Sequence, residues 1–136
     1  MATATKSKSM TRQEALDLRQ QAHEAGLAAM QAATPTPILW GSPSTPLGSD
    51  VDLTNPHSVS TEGVCGFAWV KVKGQTSFAR HMRDAGFGRT DSYAGGTNLW
   101  VREGGQSLER KEAYANAFAA VLNEAGVSAY AYSRMD

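Results

Sequence analysis

From Val64 to Arg134 the spacing of apolar residues alternates between the period of two that suits a strand and the longer period that suits a helix. In Val64 to Lys73, the alternate positions Val64, Gly66, Ala68, Val70 and Val72 are small and apolar, while Cys65, Phe67, Trp69, Lys71 and Lys73 fill the other set. Thr76 or Ser77 then caps a helix whose Phe78, Met82 and Ala85 share one stripe, and Gly86 followed by Phe87 has the form of a Schellman stop. Gly95-Gly96 marks a hairpin turn between Tyr93 and Leu99. The strand from Thr97 to Arg102 sorts Leu99 and Val101 from Asn98, Trp100 and Arg102. A second helix opens near Ser107, aligns Tyr114, Ala117, Phe118, Val121, Leu122 and Ala125, and ends at Gly126. The closing strand separates Val127, Ala129 and Ala131 from Ser128, Tyr130, Tyr132 and Arg134.

The order strand, helix, strand, strand, helix, strand predicts an α+β domain of the ferredoxin-like βαββαβ plait type, in which both helices roof one face of the sheet. The two helix ends agree with a doubled unit, since Asp84-Ala85-Gly86-Phe87 and Glu124-Ala125-Gly126-Val127 each hand over to a strand. The small apolar sets belong under the helices. The open face therefore receives Phe67, Trp69, Trp100, Tyr130 and Tyr132 beside Lys71, Lys73, Arg102 and Arg134. In this topology the first and third strands are central, which places Phe67, Trp69 and Trp100 in mid-sheet.

Upstream, Met1 to Met10 is small and polar and reads as a mobile arm. Thr11 and Glu14 form a capping box that starts a helix running to about Ala33. Its Ala15, Leu18, Ala22, Ala25 and Ala29 make a narrow face of small residues suited to close packing. Pro35 and Pro37 stop it, and all five prolines of the chain fall between Thr34 and Gly63. In that connector Ile38-Leu39-Trp40 is the apolar anchor, expected as an added edge strand or as a plug on the open sheet face. The chain thus divides into an arm over 1–10, a helix with Pro-rich connector over 11–63 that packs on or near the open face, and the plait over 64–136.

At 136 residues the chain is one ordinary domain. Thirteen basic and 13 acidic residues balance, which argues against a dedicated duplex-DNA binder. A single cysteine excludes an internal disulfide, and three scattered histidines lack zinc-ligand spacing, so neither metal nor cofactor is expected. No apolar run approaches the roughly 18 residues of a membrane span, so a soluble intracellular protein without membrane contact is expected.

The aromatic and basic face is the main candidate for binding, by a protein partner or by single-stranded nucleic acid stacked on its rings. The strand Gly95-Gly-Thr-Asn-Leu-Trp-Val-Arg102 does not follow the aromatic-rich consensus of the RNA recognition motif. A second, weaker candidate is the helix start at Gly104 to Ser107, where Gly105, Gln106 and Ser107 offer amides and Arg110 and Lys111 add charge for a small nucleotide or anion. Cys65 reads as a small buried hydrophobe more readily than as a nucleophile served by His57 or His81, and Asp50 with Asp52 as a solvated pair. No catalytic residue is legible, because no cleft of convergent ionisable groups can be assembled from the sequence.

The stretches Gly63-Val-Cys-Gly-Phe-Ala-Trp-Val70, Gln106-Ser-Leu-Glu-Arg-Lys-Glu112, Ala117-Phe-Ala119 and Ser133-Arg-Met-Asp136 together resemble a group of small proteins encoded by tailed bacteriophages. The likeness covers the chain from Gly63 to the C-terminus, and the helix and proline segment before it have a similar layout. It implies an origin in a phage or its bacterial host, hence a location in the host cytoplasm or the virion, and brings no established activity with it. The expectation that follows is a non-enzymatic interaction protein, virion-associated or directed at the host, with single-stranded nucleic-acid binding as the alternative.

Overall fold

The computed structural model describes residues 9–41 and 57–136, with backbone alone for Leu39–Gly41 and His57–Val59. The elements are α1 (Arg12–Ala32), β1 (Ile38–Gly41), β2 (His57–Ser60), β3 (Gly66–Val72), α2 (Ser77–Asp84), β4 (Arg89–Thr90), β5 (Thr97–Trp100), α3 (Leu108–Glu124) and β6 (Ala129–Met135). The domain is α+β, with a four-stranded antiparallel sheet in the order β4-β5-β3-β6. Both central strands are those expected from the sequence. The proposed metal-free acidic pair, Asp50 and Asp52, lies outside the described residues.

Alternation along β3 sorts its side chains as the pattern predicts, with Ala68, Val70 and Val72 at 1% exposure or less. Leu99, Val101 and Ala129 join them on the same side. Above this face, α3 packs on β3 and β6 and α2 sits over the β4 end. Phe78, Met82 and Leu122 fill the space between helices and sheet and are fully buried. Burying a side chain of that size is worth about 1.5–3 kcal/mol. Both helices finish with a hydrophobic residue donating back six-to-one, Phe87 N–H to the Met82 carbonyl and Val127 N–H to the Leu122 carbonyl.

The N-terminal helix corrects an expectation. Instead of lying on or near the open sheet face, α1 packs along α3 and reaches α2, so it belongs to the helical layer. Its buried face is Ala15, Leu18, Ala22 and Gly26. The cause is close approach: a Cβ added to Gly26 would come within 2.7 Å of the Tyr114 ring. Small residues let α1 nest between two helices that already present Tyr114, Phe118, Phe78 and Met82. The Thr11–Glu14 capping box is present at its start, and Gly26 sits inside the helix without ending it.

Two further expectations change. Met10 was expected within the mobile arm, yet its N–H donates to Ser77 Oγ (2.9 Å) and its carbonyl accepts from the His81 ring (3.0 Å), which fixes it to α2. Residues 1–8 lie outside the described part. The Ile38-Leu39-Trp40 segment does not extend the main sheet as an edge strand. It pairs antiparallel with His57–Ser60 in a separate two-stranded ribbon. That ribbon pairs the backbone of Ile38–Gly41 with that of His57–Ser60.

Gly26→Val should destabilise the fold by about 1–3 kcal/mol through overpacking against Tyr114. Urea unfolding of the variant beside wild type measures it, and an unchanged midpoint would contradict the seam described here.

Candidate functional site

On the open face of the sheet, three of the predicted rings, Trp100, Trp69 and Tyr132, form one connected row. Register places Trp69 opposite Trp100 on one flank and opposite Tyr132 on the other. The Trp69 and Trp100 ring centroids are 4.7 Å apart at 38°, and those of Trp69 and Tyr132 are 5.9 Å apart at 16°. Separations this short require ring faces turned toward one another, since rings lying side by side in one plane would sit further apart. Trp69 is therefore engaged on both flanks and only half-buried, while the outer rings are exposed: Trp100 40%, Tyr132 46% and Tyr130 60%.

The basic residues of this face divide into two groups. Lys71 is committed, its ammonium binding Asp91 Oδ2 (2.9 Å) and the Gly95 carbonyl (2.5 Å). Lys73, Arg102 and Arg134 are exposed, and among the described residues none of the three has an ion-pair partner. Arg134 lies 5.4 Å from the Phe67 ring centroid, within cation–π range, and Phe67 is half-buried beneath it. Of the nine predicted residues, β3, β5 and β6 carry Phe67, Trp69, Lys71, Trp100, Tyr130, Tyr132 and Arg134, with Lys71 already neutralised, while Lys73 and Arg102 lie just past the ends of β3 and β5.

Asp91 is the residue that sequence reasoning missed here. Its Oδ1 accepts the amides of Tyr93 and Ala94, and its Oδ2 takes Lys71 and Asn98. The Ala94 amide first, then Lys71, Asn98 and the Tyr93 amide, hold its carboxyl well below the usual range. This ties the β4–β5 loop, whose Gly95 and Gly96 both need positive φ (83° and 80°), to the middle of the sheet. The signal was available, because Asp followed by Ser-Tyr-Ala-Gly-Gly is a side-chain-capped turn. Beside it, Asn98 Oδ1 is a buried side-chain oxygen without a partner among the described residues.

The helix start proposed as an anion site is occupied by the chain itself. Ser107 caps α3 by accepting from the Arg110 amide, and its hydroxyl donates to the Glu62 carbonyl (2.7 Å). Gln106 accepts from the Gly66 amide, and the Leu108 amide donates to Val64. Gly105 is exposed at the rim. Arg110 holds Glu62 (2.6 Å) and reaches the Met30 and Ala33 carbonyls. The hydrogen bond between them lowers the Glu62 pKa and raises that of Arg110. Lys111 is buried, with its ammonium turned inward to the Gly66 carbonyl (3.2 Å). These groups cap and clasp.

Cys65 is exposed, contrary to the expected burial, because it shares the outward alternation of Phe67 and Trp69. His81 is held at Met10, and of His57 only the backbone is described. A second cluster lies between α1 and α3, where His23 Nδ1 meets Tyr114 Oη (2.5 Å) with Glu103 3.8 Å away. Burial first, then the Glu103 charge, pushes the Tyr114 phenol up. It stays neutral and hydrogen-bonds across the helix seam. Arg19, Phe87, Arg102 and Glu103 border a cavity of about 190 Å³ next to it. Among the described residues no group of three or more His, Cys, Asp or Glu is placed to hold a metal ion, and no helix is long and apolar enough to cross a membrane. Comparison with protein-family models, curated proteins and solved structures gives no match.

Asp91 generates a pH prediction. Its folded pKa is depressed below the unfolded value of about 4, so its stabilisation is complete above that value and is lost as pH falls through the folded one. Asp91→Ala should lower the thermal midpoint at neutral pH and flatten the acid-side decline relative to wild type. Parallel melting curves at neutral and acid pH, still parallel after the substitution, would refute the role given to this carboxylate.

Proposed function

We propose that this chain is a non-enzymatic interaction module, of tailed-phage origin, that holds a protein partner on the ring-bearing face of a ferredoxin-like βαββαβ plait. Its place of action would be the host cytoplasm or the virion. The observation that carries the reading is the bare row Trp100, Trp69, Tyr132 across the central strands. A row of half-buried to exposed aromatic rings, flanked by arginine without an ion-pair partner among the described residues, is the composition of an interface centre, where Trp, Tyr and Arg contribute most of the binding energy. The ring geometry favours protein over stacked bases. Trp69, the central ring, already has a ring neighbour on each flank to compete with a stacking base, whereas a contoured protein surface can seat against ring edges.

Lys73, Arg102 and Arg134 give the single-stranded nucleic-acid reading its own support, since each is exposed and without a carboxylate partner among the described residues. A small-anion site at Gly104 to Ser107 is less well supported, because Ser107, Arg110 and Lys111 already have partners in the chain.

Trp100→Ala and Tyr132→Ala decide between these readings. Each should cost about 1–2 kcal/mol in urea unfolding, well short of the 3–5 kcal/mol of a buried ring, because a large part of each side chain is already in water. Each should also abolish capture of a defined phage or host protein that the wild-type chain retains. Salt-sensitive binding of a single-stranded oligonucleotide, lost in the same variants, would replace the protein reading. Retention of partner and oligonucleotide behaviour in both variants would remove the ring face from the function altogether.

A further inference from the structure

The last strand, β6, is an edge of the four-stranded sheet, and unlike its counterpart it is long. β4 at the other edge has two residues, whereas β6 pairs over its whole length with β3, from Gly66–Met135 to Val72–Ala129. Ala129–Met135 contains no proline, and most of it is exposed. In an antiparallel strand the N–H and C=O of one residue point the same way, and successive residues alternate. Ala129 fixes the phase. Its N–H donates to Asn123 Oδ1 and its carbonyl accepts from Asn123 Nδ2, both at 2.9 Å, so this residue faces away from β3. Ala131, Ser133 and Met135 then face away as well, and no backbone partner exists for them among the described residues. The Ser133 hydroxyl is turned to Glu112, which leaves its backbone groups open.

We infer that β6 pairs antiparallel with β6 of a second copy of this chain, about a two-fold axis through Ser133. The free positions select that occupant and that register. Asn123 closes the edge at Ala129, so an added strand has only Ala131, Ser133 and Met135 to bind. A two-fold at Ser133 sets Ala131 against Met135 of the other copy and Ser133 against Ser133, which employs every free position on both chains in about six backbone hydrogen bonds. A two-fold at Tyr132 would leave Met135 unpaired. The side chains agree with the choice: on the ring face, Arg134 of each copy falls opposite Tyr132 of the other, a cation against an aromatic ring and never against a like charge. With a net charge of zero the two chains meet without long-range repulsion. The product is one continuous eight-stranded sheet with both ring rows on the same side. This pairing uses the strand edge and stands independently of what the ring face binds.

Sedimentation equilibrium of the full chain tests it. Wild type should be a dimer, with Ser133→Ala unchanged and Ser133→Pro monomeric at the same concentration and with the same far-ultraviolet circular dichroism. Proline at 133 deletes an outward N–H that the fold itself does not use. Hydrogen exchange gives a second readout that needs no variant: the amides of Ala131, Ser133 and Met135 should become more protected as concentration rises. Arg134→Glu should weaken the dimer at least about tenfold. A wild-type chain that remains monomeric up to about 1 mM, or a dimer that survives Ser133→Pro with those amides unprotected, would overturn the pairing. Loss of partner binding in Trp100→Ala with the dimer intact keeps this inference separate from the ring-face function.

Discussion

Contact between Gly26 and the Tyr114 ring governs where everything else lies. A side chain at 26 would collide with that ring, so the seam exists only because α1 presents a face of Ala and Gly to α3. Once α1 is seated there, its Leu18 and Ala22 complete the core above the sheet, and His23 bonds the Tyr114 hydroxyl across the same line. All three helices are then spent on one side. On the opposite face Trp100, Tyr130 and Tyr132 stay exposed, a by-product of how tightly two helices approach on the far side.

Much of this was readable in the residues. Alternation in Val64 to Lys73, the Thr11–Glu14 capping box and the paired Gly86 and Gly126 stops are local signals, and they located β3, β5, β6 and the described helices with small boundary shifts, whereas His57–Ser60 was not anticipated and Arg89–Thr90 was not delimited. The shared side of Trp69, Trp100 and Tyr132 follows from period two and antiparallel pairing, which is why the ring row could be anticipated. The placement of α1 could not. A stripe of small residues says that something comes close without saying what, and a sheet and a helix pair both satisfy it. Arg110 and Lys111 illustrate the same limit from the polar side: their spacing suits an anion, but only the tertiary fold reveals that carbonyls and Glu62 meet them first.

The ring face is also firmer than its exposure suggests. Lys71 joins Asp91 and the Gly95 carbonyl, and Asp91 in turn secures the loop amides and Asn98, so the long lysine beside the rings is fixed rather than swinging free. Ring-on-ring contact restrains Trp69 from both flanks. Were the face to bind a partner as proposed, Lys71 and Trp69 would already be restrained, and preorganisation of that kind lowers the entropic cost of association.

The guanidinium of Arg110 grips the end of α1 at the Met30 and Ala33 carbonyls and, on its other side, the Glu62 carboxylate. Thr36, just past the helix, is bonded to Glu109, and the Glu62 carbonyl takes the Ser107 hydroxyl. Both ends of the proline-bearing excursion are therefore buttoned to one turn of α3. For a loop whose ends are already joined, each doubling of length costs only about 0.6 kcal/mol. The clasp therefore sets the span that the excursion has to bridge, whatever length of chain lies between its two ends.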